Sequence, residues 1–427
     1  MILRPVVRTR LTADWVVPVS SPPVADGAVL IGPDGRIEAV GAAAMVPAPP
    51  GVGTVSFPGA ALMPGLVNAH THLELTGLAG QVEESDFSAW IRGVRQVKSG
   101  LTADWFEAAA RQGVRDAFAA GITTVLDTGD SGAVLGALVE LGGAGIAYQE
   151  VFGPDPAQCR ESLLGLQDRV AELGPRAGGR VRLGVSPHAP YTVSGPLYQA
   201  VAEFAKARGL PLAVHVAESP AETMLVARHE GPFAEAWNAR GIPPVARHGT
   251  LPVAARRSPV SWLDAHGVLG PDTLCIHTVQ LDQADLDILA ARRTPVAHCP
   301  CSNARHGHGQ APLSRLLAAG VRVGLGTDSV ISVGQLDLWA EMRAAAALAG
   351  LAPGQALALA TIGGARLIAA DAEVGWLGAG TFADLIAVEL APEARDQPVE
   401  ARLLAARPGN VLATFASGRP VFRRGGA

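Results

Sequence analysis

The sequence predicts an α/β protein, a (β/α)8 barrel of the TIM type joined to a small β-sandwich domain that both termini build. Eight short apolar runs, rich in β-branched residues or bounded by glycine, alternate with Ala- and Leu-rich stretches of helical period. Polar residues fall at the carboxyl ends of these runs, where barrel enzymes assemble their sites. The number of runs favours a closed parallel barrel over an open sheet.

The eight predicted barrel strands span residues 61–72, 121–129, 145–153, 181–191, 211–219, 273–280, 294–303 and 322–329. Before and after them, glycine- and proline-rich turns separate short alternating runs, which is typical of a β meander. We therefore predict a composite β-sandwich domain from residues 1–60 and 373–427, and a barrel from 61–372. Residues 231–261 exceed the usual loop length and predict a lid or a helical excursion.

Composition restricts the class of protein. The chain has 427 residues, of which 48% are hydrophobic and 17% charged, and a net charge of -5, values typical of a globular protein. Arginines are scattered without a basic run, so we expect no nucleic-acid partner. No stretch reaches about 18 apolar residues and no signal peptide is recognisable, which predicts no membrane partner. Four cysteines without a disulfide spacing favour a cytoplasmic location.

Histidines at strand ends predict a metal centre. His70 and His72 are two residues apart on one predicted strand, so both rings project to the same side. His215 and Asp328 end later strands and complete a set of three imidazoles and one carboxylate with an open position for water. We predict one divalent ion, Zn²⁺ in preference to Fe²⁺ or Mn²⁺. The alternatives are rim histidines satisfied by hydrogen bonds and, for Asp328, a helix N-cap.

Two further residues at strand ends are candidates for proton transfer. Glu218 follows His215 by three residues and is expected to face the pocket without binding the metal, as a general acid or base. His277, at the end of the sixth strand, and Asp328 are expected to accept a proton from water. The alternatives are a solvated glutamate at the start of a helix and a structural histidine.

Four motifs resemble the amidohydrolase superfamily, specifically its cytosine/adenosine-type aminohydrolase branch. They are PGLVNAHTH at 64–72, HVAE at 215–218, LCIH at 274–277 and GLGTD at 324–328. The likeness spans nearly the whole chain and implies a distorted barrel with one catalytic metal and a β-sandwich made from both termini. Neither lysine, Lys98 or Lys206, ends a predicted strand, so the binuclear form that uses a carboxylated lysine is not implied.

Other segments are most similar to the aminodeoxyfutalosine deaminases. The segment around His188 resembles the part with which purine and S-adenosylhomocysteine deaminases contact the base, which makes His188 a substrate residue; a second metal ligand or a structural histidine is the alternative. The segments 298–309 and 68–74 are the ones that look most like the aminodeoxyfutalosine deaminases, and Cys301 departs from the usual pattern of the first. Cys299, Cys301, His306 and His308 could also form a structural zinc site, but the spacing of the cysteines argues against it.

The implied substrate carries a carboxylate on an aryl arm, and an arginine fork suits such a group. Arg92, Arg95 and Arg305 are the candidates, with Trp90 to stack on the aryl ring and Glu74 to accept ribose hydroxyls. The arginines and Trp90 are equally compatible with a surface helix or loop, and Glu74 with a salt bridge at a helix end.

The expected function is hydrolytic deamination of a small nucleoside, 6-amino-6-deoxyfutalosine to futalosine and ammonia, a step of menaquinone biosynthesis. Deamination of S-adenosylhomocysteine or another purine, or removal of chloride from a triazine, would use the same centre. A non-catalytic assembly protein is a remote alternative. A homodimer is compatible with the sequence, which does not fix the oligomeric state.

Overall fold

The computed structural model describes residues 6–84, 86–245 and 257–425. Its chain begins with strands β1 (Thr9–Val16), β2 (Val24–Ile31), β3 (Ile37–Ala42) and β4 (Gly53–Pro64). Strand β1 pairs antiparallel with β2 and parallel with β4, and β2 pairs antiparallel with β3. These strands form one part of a sheet that the end of the chain completes.

A parallel eight-stranded sheet follows in the described residues. Its strands are β5 (Leu66–Thr71), β6 (Ile122–Gly129), β7 (Ala144–Val151), β8 (Val181–Pro187), β9 (Leu212–Val216), β10 (Thr273–His277), β11 (Val296–His298) and β12 (Val323–Leu325). Each strand pairs with the next along the chain. The main-chain N–H groups of Thr327 and Asp328 both donate to the carbonyl of His70 at 3.0 Å, which closes the barrel at its carboxyl rim.

Helices cover the outside of the barrel and fill the connections. They are α1 (Phe87–Ser99), α2 (Ala103–Ala119), α3 (Ala133–Leu141), α4 (Cys159–Leu173), α5 (Gly195–Arg208), α6 (Pro220–Arg228), α7 (Pro232–Ala239), α8 (Pro259–Ala265), α9 (Gln283–Arg292), α10 (Pro300–Arg305), α11 (Leu313–Ala318), α12 (Val330–Val333), α13 (Leu338–Ala349), α14 (Pro353–Leu359), α15 (Ile362–Leu367) and α16 (Val399–Leu404). None of the helices within the three described ranges is both long and apolar enough to cross a bilayer.

The last strands are β13 (Leu385–Glu389), β14 (Val411–Ala416) and β15 (Arg419–Arg423). Strand β13 pairs antiparallel with β4, so the second sheet has the order β15-β14-β13-β4-β1-β2-β3. Its buried side chains come from both termini, for example Leu11 and Ile31 from the first and Leu385 and Phe415 from the second. The predicted fold class is thereby confirmed, whereas the domain boundaries at 60 and 373 stay a prediction.

The first predicted strand, 61–72, is wrong as a single element. The chain leaves β4 at Pro64, passes through Gly65 and enters the barrel in β5. A Cβ atom on Gly65 would lie 2.2 Å from Thr123 Oγ1, so only glycine allows this close passage between the two sheets. The apolar run is continuous because both strands are buried, and hydropathy alone does not reveal the change of sheet.

The described part of the long segment 231–261 contains the helix α7 and the start of α8. Its residues 246–256 lie outside the described part, so the prediction of a lid stays a prediction.

A charged contact fixes the second sheet to the barrel. Arg180, which precedes β8, donates from Nη1 to Asp384 Oδ1 at 2.8 Å and from Nη2 to Oδ2 at 2.5 Å. The Arg180 Nη1 atom also donates to Ser417 Oγ at 2.9 Å. The ring of Phe382 lies 4.0 Å from the guanidinium carbons of both Arg180 and Arg36. Because the Asp384 carboxylate is buried, this fork is its main charge compensation.

Replacement of Arg180 by methionine should lower the free energy of unfolding by about 3 kcal/mol, because a buried carboxylate loses its cation. Urea denaturation followed by circular dichroism measures the change. Arg208→Met, on the exposed end of α5, is the control and should change stability by less than about 0.5 kcal/mol. Equal effects of the two substitutions would contradict the role of the fork.

Candidate metal centre and active site

The predicted metal ligands converge at the carboxyl rim of the barrel. His70 lies on β5, His72 just after it and His215 on β9, while Asp328 follows β12. The Nε2 atoms of His70 and His72 lie 3.5 and 3.4 Å from Asp328 Oδ1. The ring centroid of His70 is 4.9 Å from that of His215. Four side chains from three strands therefore surround one point.

Burial sets the protonation of this cluster. It lowers the pKa of His72 to about 4, with help from His70, and lowers that of His215 well below its usual value. Burial opposes ionisation of Asp328, but His70, His72 and His277 hold the pKa of that carboxyl well below its ordinary range. At neutral pH the His72 and His215 rings therefore keep free lone pairs and Asp328 carries a negative charge.

Neighbouring groups orient these side chains, and the sequence did not indicate them. His215 Nδ1 lies 3.1 Å from the His188 carbonyl, so it carries the proton and leaves Nε2 free to face the centre. Asp328 Oδ2 accepts hydrogen bonds from Ser302 Oγ at 2.6 Å and Ser332 Oγ at 3.0 Å. His72 Nδ1 lies 3.3 Å from Thr128 Oγ1.

The cluster fits a divalent metal ion. Among the described residues neither ring nitrogen of His70 has a hydrogen-bond partner, although its side chain is fully buried. Buried polar atoms without a partner are rare in folded proteins and call for a ligand. His70, His72 and Asp328 form one group whose ligand atoms lie within 4.8 Å of one another, and His70, His215 and His277 form a second. Nitrogen and oxygen donors of this kind can bind zinc and several other divalent ions.

Glu218 lies beside the cluster, just past the end of β9. Its Oε1 atom is 3.5 Å from His277 Nε2, and its Oε2 atom accepts a hydrogen bond from the Tyr191 hydroxyl at 3.3 Å. Burial, with the negative charge of Asp328 nearby, raises the pKa of this carboxyl well above its usual value. Burial thus favours the protonated form of this carboxyl, and in that form it can act as a proton donor.

His277 has a defined tautomer. Its Nδ1 atom lies 3.0 Å from Asn303 Oδ1, an acceptor, so Nδ1 carries the proton and Nε2 presents a lone pair. Burial lowers the pKa of His277 well below its ordinary value, which keeps the ring neutral. A neutral Nε2 at this position can accept a proton.

The backbone around the site is strained. Ala217, His277, Thr278 and Asp328 all have positive φ angles, between 49° and 71°, which non-glycine residues adopt at a cost of about 1 kcal/mol each. Glu222, fully buried on α6, stabilises the first of these turns because its two oxygens accept the N–H groups of Ala217 and Glu218 at 2.8 and 2.9 Å. Glu222 thus aims Glu218, a role that the sequence did not reveal.

Two predicted substrate residues line a cavity whose wall includes His306, which stacks on His308 next to Glu218. The cavity has a volume of about 250 Å³ and is bounded by Glu84, Trp90, Ala304, Arg305, His306, Gly307 and Ile331. Trp90 belongs to α1 and Arg305 ends α10, so two distant segments meet there. Arg92, by contrast, donates from Nη1 to Ser88 Oγ at 2.7 Å within its own helix. The substrate roles of these three residues stay predictions.

His188 lies at the centre itself. Its ring centroid is 4.7 Å from that of His215, and its Nδ1 atom lies 2.8 Å from Thr192 Oγ1. Phe152, whose side chain is 40% exposed, packs its ring 5.1 Å from His188 at the rim. A carboxylate oxygen of Glu150 and ring nitrogens of His188 and His215 lie within 4.8 Å of one another. The sequence did not indicate this position of Glu150.

In the structure, Glu74 is hydrogen-bonded to neighbouring side chains. The carboxylate is 1% exposed and accepts hydrogen bonds from Lys98 Nζ at 2.8 Å and from Ser131 Oγ at 2.5 Å. Burial opposes its ionisation, but Lys98, Ser131 and Asp130 lower the pKa of Glu74 to about 2. The ribose role stays a prediction, and the salt bridge weighed against it is present, with Lys98 as the partner.

A structural zinc site at the cysteines is not formed in the described residues. No three of Cys299, Cys301, His306 and His308 bring ligand atoms together there. Cys299 is buried and its thiol is free, as is that of Cys301.

Comparison with known proteins places this site in a family. A model described as the amidohydrolase family matches residues 61–421. A 5-methylthioadenosine/S-adenosylhomocysteine deaminase from Moorella thermoacetica is 32% identical over 424 residues, which cover 96% of this chain and 93% of that relative. A zinc-bound adenosine deaminase structure from Xanthomonas campestris has a TM-score of 0.81 at 26% identity, over 96% of this chain and 92% of that one.

The aminofutalosine deaminase of Helicobacter pylori, solved with methylthio-coformycin, has a TM-score of 0.82 at 21% identity. It covers 97% of this chain and 100% of its own, and at this identity the likeness shows the fold alone. The chain belongs to the amidohydrolase family. It is a hydrolytic deaminase, so the prediction of an enzyme is confirmed over that of a non-catalytic assembly protein.

Replacement of Glu222 by glutamine should lower kcat about 10-fold or more and destabilise the fold by about 2 kcal/mol. The reason is that an amide NH2 group replaces one of two acceptors and faces a backbone N–H. Initial rates and urea denaturation measure both effects. Glu203→Gln, on the exposed face of α5, is the control, and a Glu222→Gln enzyme with unchanged kcat would contradict the aiming role.

Proposed function

We propose that this chain deaminates adenine-type nucleosides, with one divalent ion held by His70, His72, His215 and Asp328. The observation that carries the proposal is the position of Glu218, a buried carboxyl whose Oε1 atom lies 3.5 Å from His277 Nε2 and whose protonated form is favoured by burial and by the nearby Asp328 charge. When bound, the ion supplies Lewis-acid polarisation and makes water a competent nucleophile near neutral pH. The remaining chemistry belongs to the side chains.

Glu218 donates its proton to the ring nitrogen next to the carbon that carries the exocyclic amine. This transfer makes that carbon electrophilic, so water adds to it. His277 Nε2 and Asp328 accept the proton that the water loses, since His277 Nδ1 is already committed to Asn303. The same proton then passes to the amine, which leaves as ammonia, and the proton of the added hydroxyl returns to Glu218.

Tyr191 and the buried walls support this division of labour. The Tyr191 hydroxyl holds Glu218 Oε2, so the other oxygen, Oε1, faces His277. Tyr191 also stacks on Phe233 at 4.3 Å with an angle of 4° between the rings. Burial raises the pKa of the Glu218 carboxyl, whereas the hydrogen bond from the Tyr191 hydroxyl acts in the opposite direction and serves to orient it.

The proposed substrate is 6-amino-6-deoxyfutalosine, converted with water to futalosine and ammonia in menaquinone biosynthesis. The cavity of about 250 Å³ supports this choice, since Trp90 and Arg305 line it together with Glu84. Trp90 would stack on the aryl ring, and Arg305 would bind the carboxylate through its guanidinium fork. No ion pair of Arg305 occurs with any other residue in the described ranges, which leaves its charge available.

Deamination of 5-methylthioadenosine or S-adenosylhomocysteine is the second candidate. The name of the Moorella thermoacetica relative favours it, at 32% identity over nearly the whole chain. S-Adenosylhomocysteine also ends in a carboxylate that Arg305 could bind, but it has no aryl ring for Trp90. Methylthioadenosine has neither group and would leave the cavity empty.

The test of the proposed function is ammonia release by the metal-loaded enzyme from a panel of substrates. The panel contains 6-amino-6-deoxyfutalosine, S-adenosylhomocysteine, 5-methylthioadenosine, adenosine, guanine and a chlorotriazine assayed for chloride. We expect the highest kcat/KM for the first compound, because it alone fills both the aryl and the carboxylate positions. A higher kcat/KM for either sulfur nucleoside would show that the proposed substrate is wrong. Turnover of the triazine alone would show that the proposed reaction is wrong.

Replacement of Glu218 by glutamine should reduce kcat about 1,000-fold, because glutamine cannot donate a proton to the ring nitrogen. Metal content, measured by atomic emission, should stay at the wild-type value, since Glu218 is not among the ligands. Loss of the metal together with activity would instead make Glu218 a ligand.

Replacement of Arg305 by methionine should raise KM for 6-amino-6-deoxyfutalosine about 10- to 100-fold, because a charged hydrogen-bond pair to the carboxylate is lost. Adenosine, which has no carboxylate, is the control substrate and should keep its KM. Arg92→Met is measured in parallel, and a larger effect there would move the carboxylate site onto α1.

A further inference from the structure

His308 is a buried histidine that the proposed reaction does not yet use. It follows α10 in a loop between Gly307 and Gly309, whose φ angles of +66° and +101° favour glycine. Its side chain is 2% exposed, and within the described residues neither ring nitrogen makes a hydrogen bond. Two unpartnered nitrogens in the interior are costly and indicate a partner that engages during function.

Glu218, the proposed proton donor, lies close to the His308 ring. His308 Nδ1 lies 3.6 Å from Glu218 Oε1, the same oxygen that lies 3.5 Å from His277 Nε2. This distance is slightly too long for a hydrogen bond, and catalytic hydrogen bonds commonly tighten only when substrate binds. Tyr191 already holds the other oxygen. Side chains therefore lie near both oxygens of the Glu218 carboxyl, with Tyr191 at Oε2 and the two histidines at Oε1.

The His308 ring is held in this orientation by its surroundings. Phe87 packs edge-to-face against it, with the centroids 4.4 Å apart, and His306 stacks on it at 5.4 Å. The main-chain N–H of His308 donates to the Asn303 carbonyl at 2.9 Å, and the main-chain carbonyl of His308 accepts from Gln280 Nε2 at 2.5 Å. Because the Asn303 side chain also contacts His277 Nδ1, one residue holds the His277 ring and the main chain of His308.

The chemistry of the ring suits a donor that keeps its proton. Burial, with the charge of His306, lowers the pKa of His308 to about 4, so the ring is neutral and carries a single N–H. A neutral imidazole can donate a hydrogen bond to a carboxylate without losing its proton. Hydrogen bonds to a charged acceptor are stronger than those to a neutral one, so such a donor favours the state in which the carboxyl has delivered its proton.

We propose that His308 is a positioning residue for Glu218, whose Nδ1–H closes onto Oε1 as the carboxyl gives its proton to the substrate. The inference rests on the proposed function and adds a residue to its machinery. The proton moves only from Glu218 to the ring nitrogen and back, and His308 keeps its own. A ring that merely filled space would need the shape of the imidazole but not its N–H.

Three substitutions separate these roles. His308→Asn places an amide nitrogen where Nδ1 lies, His308→Gln places one nearer to Nε2, and His308→Leu removes the donor at similar volume. On the best nucleoside we expect kcat to fall about 10- to 100-fold in the leucine and glutamine variants, with KM within about twofold. The asparagine variant should stay within about fivefold of wild type. His266→Leu, at a buried histidine whose Nδ1 contacts the Trp262 carbonyl, is the control and should keep its kcat.

Circular dichroism and metal content establish that each variant is folded and loaded. If the leucine variant does not fold, the comparison of kcat between the asparagine and glutamine variants still tests the inference. Equal kcat in those two, or an unchanged kcat in the leucine variant, would overturn the inference and leave the proposed function intact. A wild-type enzyme that releases ammonia from no nucleoside would overturn both, and the two failures are therefore distinguishable.

Discussion

Closure of the barrel is the constraint on which the site depends. The N–H groups of Thr327 and Asp328 donate to the carbonyl of His70, so the last strand is joined to the first at one of the predicted metal ligands. The Asn68 side chain reinforces this seam through Thr327, to whose Oγ1 it donates at 2.9 Å. Asp328 thereby reaches the His70 and His72 rings from more than 250 residues away. Without this seam the histidines would lack their carboxylate.

One physical factor, burial, gives the side chains of the site opposite protonation states. It lowers the pKa of His72, His215 and His277, which leaves these rings neutral with lone pairs, and it raises the pKa of Glu218, which favours the protonated carboxyl. Asp328 escapes the same effect because imidazoles surround it. The proposed ligands, proton acceptor and proton donor are therefore distinguished by their neighbours more than by their residue type.

The strained turns show how the fold stabilises this arrangement. Ala217, His277 and Asp328 hold left-handed backbone conformations next to the groups that act, and each is supported by tertiary hydrogen bonds. Glu222 supports the turn at Glu218, and Asn303 supports His277 by its side chain and His308 by its carbonyl. Lys98 has a comparable role behind the site, where it joins Glu74 and Asp130. These supports lie in other elements of the chain.

The sequence by itself determined the barrel and the convergence of His70, His72, His215, Glu218, His277 and Asp328, because alternating strands fix which residues reach the carboxyl rim. Tertiary structure alone decided what depends on contacts distant in the chain. It split the apolar run 61–72 between two sheets and gave Glu74 to Lys98, 24 residues away. It also brought His308 to Glu218 across 90 residues of sequence. Periodicity records which face of an element is buried, but not which side chain of another element meets it there.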